Sequence, residues 1–324
     1  MDRRTVAEFI ERSQGLRWRE ELDVATLAVL DAFEEAGVRS LLLKGPALVR
    51  LLYAENESRG YSDIDLLAAP TDFQHARDAL LALGYARADE HFGIDDVSGI
   101  LHSELWAKSG ESGPLWVDLH WRLGGCKASN QVVWDTLSAG RARIDLRGRE
   151  APVLGTDGLA LHLALHAGQH GPRDVKALAD LVRGLERWEL GVWRSASRLA
   201  GEADAVPAFA AGLRLLPSGA AVATQLALPE TDRLEWEILH REARPRGTFH
   251  LGALARATGM RERGNVLRRS LLPTPEWIVW ELPSAAKSKP RLVAAYAFHI
   301  GRAPIWAARA WRFQRRDRRA RSDA

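Results

Sequence analysis

Two carboxylates stand two positions apart inside an apolar run, Asp63-Ile64-Asp65-Leu66-Leu67, and no other feature limits the chain as strongly. Side chains alternate across a strand, so Asp63 and Asp65 share one face while Ile64 and Leu66 fill the other. Two like charges on one face of an apolar strand repel each other and resist burial. A hard divalent cation between them removes that conflict, and carboxylate oxygens suit Mg2+ or Mn2+. Replacing either aspartate with asparagine is then expected to stabilise the metal-free chain.

An isolated Asp-x-Asp is commonly a solvated surface feature, but a second acidic strand follows, Trp116-Val117-Asp118-Leu119-His120-Trp121. Asp118 and His120 share a face there, opposite Val117, Leu119 and Trp121. A third carboxylate beside the first two completes a two-ion site for phosphoryl transfer. Asp63, Asp65 and Asp118 are thus the candidate catalytic and metal-binding residues. His120 either orients Asp118 or packs beneath it. Upstream, Leu41-Leu42-Leu43-Lys44-Gly45-Pro46 reads as strand, glycine turn and helix start, a local geometry suited to phosphate. Metal-binding Asp-x-Asp also occurs in glycosyltransferases that use nucleotide sugars, and the short Lys-Gly strand–turn–helix upstream argues against them. A haloacid-dehalogenase-like phosphatase is disfavoured by Leu67, and no P-loop, H-E-x-x-H or G-x-S-x-G is present.

Around these motifs the first half reads as mixed α/β. Val24, Leu27, Leu30 and Phe33 recur at helical spacing before Gly37, and Thr71 or Asp72 can cap a helix carrying Phe73, Ala76 and Leu80 inward. Residues 100–121 form a hairpin about Ser109–Pro114, and strand-like pieces follow at Ala142–Leu146 and Ala151–Leu154. After Thr156 helical periodicity takes over. The fold class expected is α+β: a mixed-sheet domain with N-terminal helices over 1–155, a helical domain over 156–285, and a basic amphipathic helix and tail over 286–324.

Taken together, the motifs resemble the DNA polymerase β-like nucleotidyltransferase superfamily, and within it an uncharacterised bacterial branch. The residues carrying the resemblance are Lys44-Gly45, Tyr53, Arg59, Asp63-Ile64-Asp65-Leu66-Leu67, Gly84-Tyr85 and Asp118-Leu119-His120-Trp121. It continues through Leu165-His166, His170-Gly171 and Leu178-Ala179-Asp180-Leu181, covering roughly residues 24 to 215. The resemblance implies transfer of a nucleoside monophosphate from an NTP, ATP by default, to an unknown acceptor hydroxyl, with Mg2+ or Mn2+ as cofactor. It implies nucleotide binding by Lys44, Gly45 and Arg59, and a cleft lined by His120, His166, His170 and Asp180. The rival is a catalytically silent or antitoxin-like regulatory module of the same fold. Pro46 departs from the wider superfamily, where a Ser or Gly helps to bind phosphate; proline has no N–H to give. Lys44 is the expected substitute for those donors.

The rest of the sequence narrows the setting. Cys126 is the only cysteine, which excludes a disulfide framework and a cysteine-based zinc cluster. No apolar signal core follows the charged N-terminus and no segment is apolar enough for a membrane helix, so a cytoplasmic protein is expected. His162, His166 and His170 fall on one helical face; without a supporting Cys or H-E-x-x-H they read as core or cleft residues rather than zinc ligands. The net charge of +3 gives no global nucleic-acid footprint. The tail joins Phe298, Ile300, Ile305 and Trp311 to many arginines, including Arg302, Arg309, Arg312 and Arg315. Packing on the helical domain is its expected state; an anionic membrane or nucleic acid is its alternative partner.

Overall fold

The computed structural model describes residues 3–88 apart from 55, 56 and 58; 102–230 apart from 112 and 173; 254; 259–272; 275; 278; 282; 284–285; and 288–322. By contacts the chain divides into two compact units, Met1–Ala86 with His102–Thr231, and Arg87–Leu101 with Asp232–Ala324.

The first unit opens with α1 (Arg3–Glu35), β1 (Ser40–Leu42), α2 (Pro46–Leu52), β2 (Asp63–Ala68) and α3 (Phe73–Ala82). Next come β3 (Ala86–Arg87), β4 (Ser103–Ser109), β5 (Pro114–His120), α4 (Asn130–Ala139), β6 (Ala142–Leu146) and β7 (Arg149–Val153). The seven strands form one mixed sheet in the order β3-β4-β5-β2-β1-β7-β6. The predicted hairpin is β4–β5, although its first two residues, 100 and 101, lie outside the described residues.

The hydrophobic pattern fixes the two faces of the sheet. Leu42, Ile64, Leu66, Ala68, Val117 and Leu119 join one core cluster with Leu22, Val29, Leu30 and Phe33 of α1 and Ala76 and Leu80 of α3. Each fully buried leucine or isoleucine contributes about 1.5–3 kcal/mol, enough together to hold the register of β2 against carboxylates on its other face. The buried stripe of α1 differs from the sequence reading. Leu30 and Phe33 are buried as expected, but Val24 is 54% exposed, and Leu22, Ala25 and Val29 complete the inward face. Several staggered stripes run along a long helix, and the sheet it meets selects among them. Asp72 likewise sits at the N-cap of α3 without a capping bond, because its carboxylate takes the Arg39 guanidinium and main-chain N–H instead.

From Thr156 the unit is helical: α5 (Thr156–His170), α6 (Val175–Arg187), α7 (Leu190–Glu202), α8 (Val206–Leu213) and α9 (Pro217–Gln225). The apolar residues of α5 are buried nearly all round, the mark of a helix at the centre of a bundle. Its crossing with α8 is backbone to backbone: a Cβ on Gly212 would lie 1.8 Å from the Ala164 carbonyl oxygen. The α+β class expected from the sequence is the one observed.

The second unit contains α10 (Met260–Leu271) and α11 (Lys289–Ser322), the latter continuous through Pro304. His299 of α11 meets the Ser270 carbonyl of α10 at 3.0 Å. Phe298, Ile300, Ile305 and Trp311, read as the apolar part of the tail, are exposed; among the described residues of this helix, Ala295, His299 and Ala310 are buried. Among the described residues, no helix is long and apolar enough to cross a membrane.

Candidate active site

β2 and β5 run parallel, with Asp65 directly opposite Asp118 and Leu67 opposite His120. Strand pairing therefore sets two carboxylates side by side on one face, and the two-residue period adds His120 to it. His120 Nε2 lies 3.1 Å from Asp118 Oδ2 and 3.5 Å from Asp65 Oδ1. Ligand atoms of these three residues all lie within 4.8 Å of one another. Asp63 shares the face one pleat earlier but stands outside this trio.

The Lys-Gly turn delivers the cation. Leu43 donates its main-chain N–H to the Asp65 carbonyl at 2.9 Å, which draws the end of β1 alongside β2. Gly45 then turns the chain at φ +60°, a region that disfavours other residues, into the proline-led α2. Lys44 Nζ lands 2.7 Å from Asp65 Oδ1 and 3.4 Å from His166 Nε2 of α5. The lysine side chain is only 15% exposed.

Charge explains the local balance. Burial resists ionisation of Asp65, but Lys44 and then His120 outweigh it and hold the carboxyl below its ordinary range. Burial also opposes the Asp118 charge, and His120 together with Ser103 prevails. In return the two carboxylates outweigh burial at His120 and push its imidazole up to about 9. Lys44 is raised by Asp65 against the effect of its own burial. Asp63 goes the other way: Asp65 and then burial raise it, opposed by Lys44 and Lys176. Asp65 and Asp118 each have a cation close by, and Asp63, the carboxylate without one, is the one that resists its charge.

The remaining predicted residues divide. Arg59 is buried and grips Asp180 through Nε and Nη2, both at 2.7 Å, while Tyr53 donates its hydroxyl to the same carboxylate at 2.5 Å. Arg59 Nη1 is the guanidinium nitrogen with no hydrogen-bond partner among the described residues. Asp180 is fully buried, so it fastens α6 to the loop before β2. His166 reaches the site through Lys44. His170 lies against His166 with the rings tilted at 51° and their centroids 4.4 Å apart, and its Nδ1 lies 3.2 Å from Asp174. His162 is 5% exposed, with both ring nitrogens unpartnered among the described residues; burial first, then Lys44, lowers its pKa to about 3.

Lys176 escaped the sequence reading. It lies one helical turn before Asp180 on α6, is exposed, and makes no ion pair among the described residues. Partial burial and Arg59 lower its pKa, against the pull of Asp63. The available signal was its spacing: a residue four before Asp180 shares its helical face.

Residues 8–218 match a family described as uncharacterised nucleotidyltransferase. Among solved structures, the antibiotic-resistance factor ANT(2'')-Ia aligns at 14% identity over 56% of this chain and 94% of its own, with a TM-score of 0.40. An antigenic nucleotidyltransferase-like protein from Paracoccidioides brasiliensis aligns at 11% identity over 59% of this chain and 92% of its own, with a TM-score of 0.36. No curated protein matches.

Proposed function

The chain belongs to this uncharacterised nucleotidyltransferase family, and from that premise we propose that it transfers a nucleoside monophosphate from an NTP to an acceptor hydroxyl, releasing pyrophosphate. The observation that carries the reading is the register that sets Asp65 beside Asp118 on neighbouring parallel strands. These residues fit a divalent cation. Asp65 is buried, yet its Oδ1 accepts no aligned hydrogen bond among the described residues, although Lys44 Nζ lies at ion-pair distance. Asp65 and Asp118 would hold the ion, and Asp63, on the same face, is the carboxylate available for a second. When bound, Mg2+ or Mn2+ neutralises charge on the transferring phosphoryl group.

The chain's own residues supply the rest. Asp118 is 25% exposed, so it is the more open of the paired carboxylates. It would orient the acceptor hydroxyl and take its proton as the acceptor oxygen bonds to the α-phosphorus. The bond from that phosphorus to the bridging oxygen breaks, and pyrophosphate leaves. Lys44 would turn from Asp65 to the β- or γ-phosphate. Lys176 would add a second cation for the same oxygens, compensating for the N–H that Pro46 lacks. Helix α2 has only seven residues, so these ammonium groups matter more there than its dipole. Any nucleotide contact from Arg59 falls to Nη1, since its other nitrogens are engaged with Asp180.

Calorimetric titration with ATP and CTP, each with Mg2+ or Mn2+, tests the reading. Wild-type protein is expected to bind at least one NTP in a metal-dependent way, and Asp65→Asn to lose that binding while keeping its circular dichroism. Asp118→Asn should keep more of the nucleotide affinity but lose turnover, because a group acting on the acceptor lowers kcat more than ground-state binding. Metal-independent binding, or none to any NTP, would favour a silent regulatory module.

A further inference from the structure

Building on the reading that Asp65 and Asp118 hold a cation, we propose that His120 is a direct metal ligand through Nε2, so that the site prefers Mn2+ to Mg2+. The imidazole lies between the paired carboxylates, 3.1 Å from one and 3.5 Å from the other. It is 4% exposed, and neither ring nitrogen has an aligned hydrogen-bond partner among the described residues. Among the described residues its Nδ1 makes no hydrogen bond, and its Nε2 meets Asp118 as an unaligned ion pair rather than the directed bond that orienting a carboxylate calls for. Instead its Nε2 and the nearest carboxylate oxygens form a set compact enough to surround one ion.

The donor set then carries the selectivity. A metal that takes Nε2 displaces its proton to solvent, and two carboxylate oxygens and one imidazole nitrogen then form a mixed site. Mg2+ prefers oxygen and water in near-ideal octahedral geometry, whereas Mn2+ accepts both oxygen and imidazole. Sequence adds a constraint that a loop ligand would not face. His120 is two residues from Asp118 on one strand and in register with Leu67, so sheet pairing rather than a flexible segment positions its ring.

The test uses Mn2+ as the probe on the full chain without nucleotide. Pulsed electron paramagnetic resonance should show coupling of bound Mn2+ to an imidazole nitrogen, which changes on labelling histidine with nitrogen-15. In His120→Asn that coupling should vanish. Competition calorimetry should show the ratio of Mn2+ to Mg2+ affinity falling about tenfold or more in the same variant. His120→Gln, which keeps a polar side chain of similar reach, and thermal melts of both variants guard against a folding defect. If Mn2+ binds without histidine coupling, or with coupling that survives in His120→Asn, the inference fails while the carboxylate site stands. If neither metal binds with or without NTP, both the inference and the proposed function fall.

Discussion

The first unit buries two aspartate–cation clusters, and they are built to opposite ends. Asp180 receives Arg59 through two bonds and Tyr53 through a third, and it is sealed from solvent. Asp65 is almost as deeply buried, yet it shares His120 with Asp118 and, among the described residues, has an oxygen without an aligned donor. A carboxylate whose lone pairs are used makes a fastening. One crowded by like charge, with acceptor capacity to spare, makes a receptor for something positive. Burial alone does not separate the two; the partners do.

Breaking the fastening should have the largest effect on stability. Asp180→Ala leaves the Arg59 guanidinium buried without its partner and should cost about 3–5 kcal/mol in urea unfolding. A loss below about 1 kcal/mol would mean that the two clusters are not of different kinds. Next in size, Lys44→Met should weaken NTP binding by roughly ten- to a hundredfold while affecting nucleoside monophosphate binding far less. Equal losses for both ligands, measured by titration, would remove Lys44 from the distal phosphates.

His162 gives the comparison a pH axis. Its imidazole is held neutral in the fold, with a pKa of about 3, and takes its proton near 6.5 once unfolded. A depressed folded value stabilises the fold above pH 6.5 and loses that contribution as pH falls toward 3. Unfolding free energy should therefore drop by about 2 kcal/mol from this residue between pH 6.5 and 5. His162→Leu should give a shallower slope over that interval; an unchanged slope would place the burden elsewhere. The smallest effect belongs to Asp63→Asn. Because Asp65 raises Asp63, the change should stabilise the metal-free protein by under about 1 kcal/mol. Asp65→Asn should not do so, since it strips Lys44 and His120 of a counter-charge. The sequence-based expectation treated the two aspartates alike, and thermal melts of both variants would show whether they differ.

The strands that carry the site were legible because each needs only a local signal: apolar alternation for β2 and β5, and a turn-rich break for the β4–β5 hairpin. The shared face of Asp63 and Asp65 follows from the same alternation. The partners were not legible, because they come from distant segments. Nothing near Arg59 shows that Asp180 will occupy two of its nitrogens, and nothing near Lys44 shows that its ammonium will rest on Asp65. Val24 illustrates the limit on a helix: periodicity offers several faces, and only the packed sheet decides that Leu22 and Val29 turn inward. Lys176 was hidden for a related reason. An exposed lysine in a first helical turn looks like ordinary surface until Asp180 ties that turn to the loop before β2.

The parallel pairing of β2 with β5 also sets when the site can come into being. Parallel neighbours cannot be joined by a tight turn, and here α3, β3 and β4 lie between them in the chain. Closing so long a loop is slow, so Asp65 and Asp118 meet only after much of the sheet has collapsed. A nascent chain that has exposed β2 but not β5 therefore carries no competent cation trap. Cations in the surrounding solution cannot template its early folding, and protein made without metal should reach the same native topology.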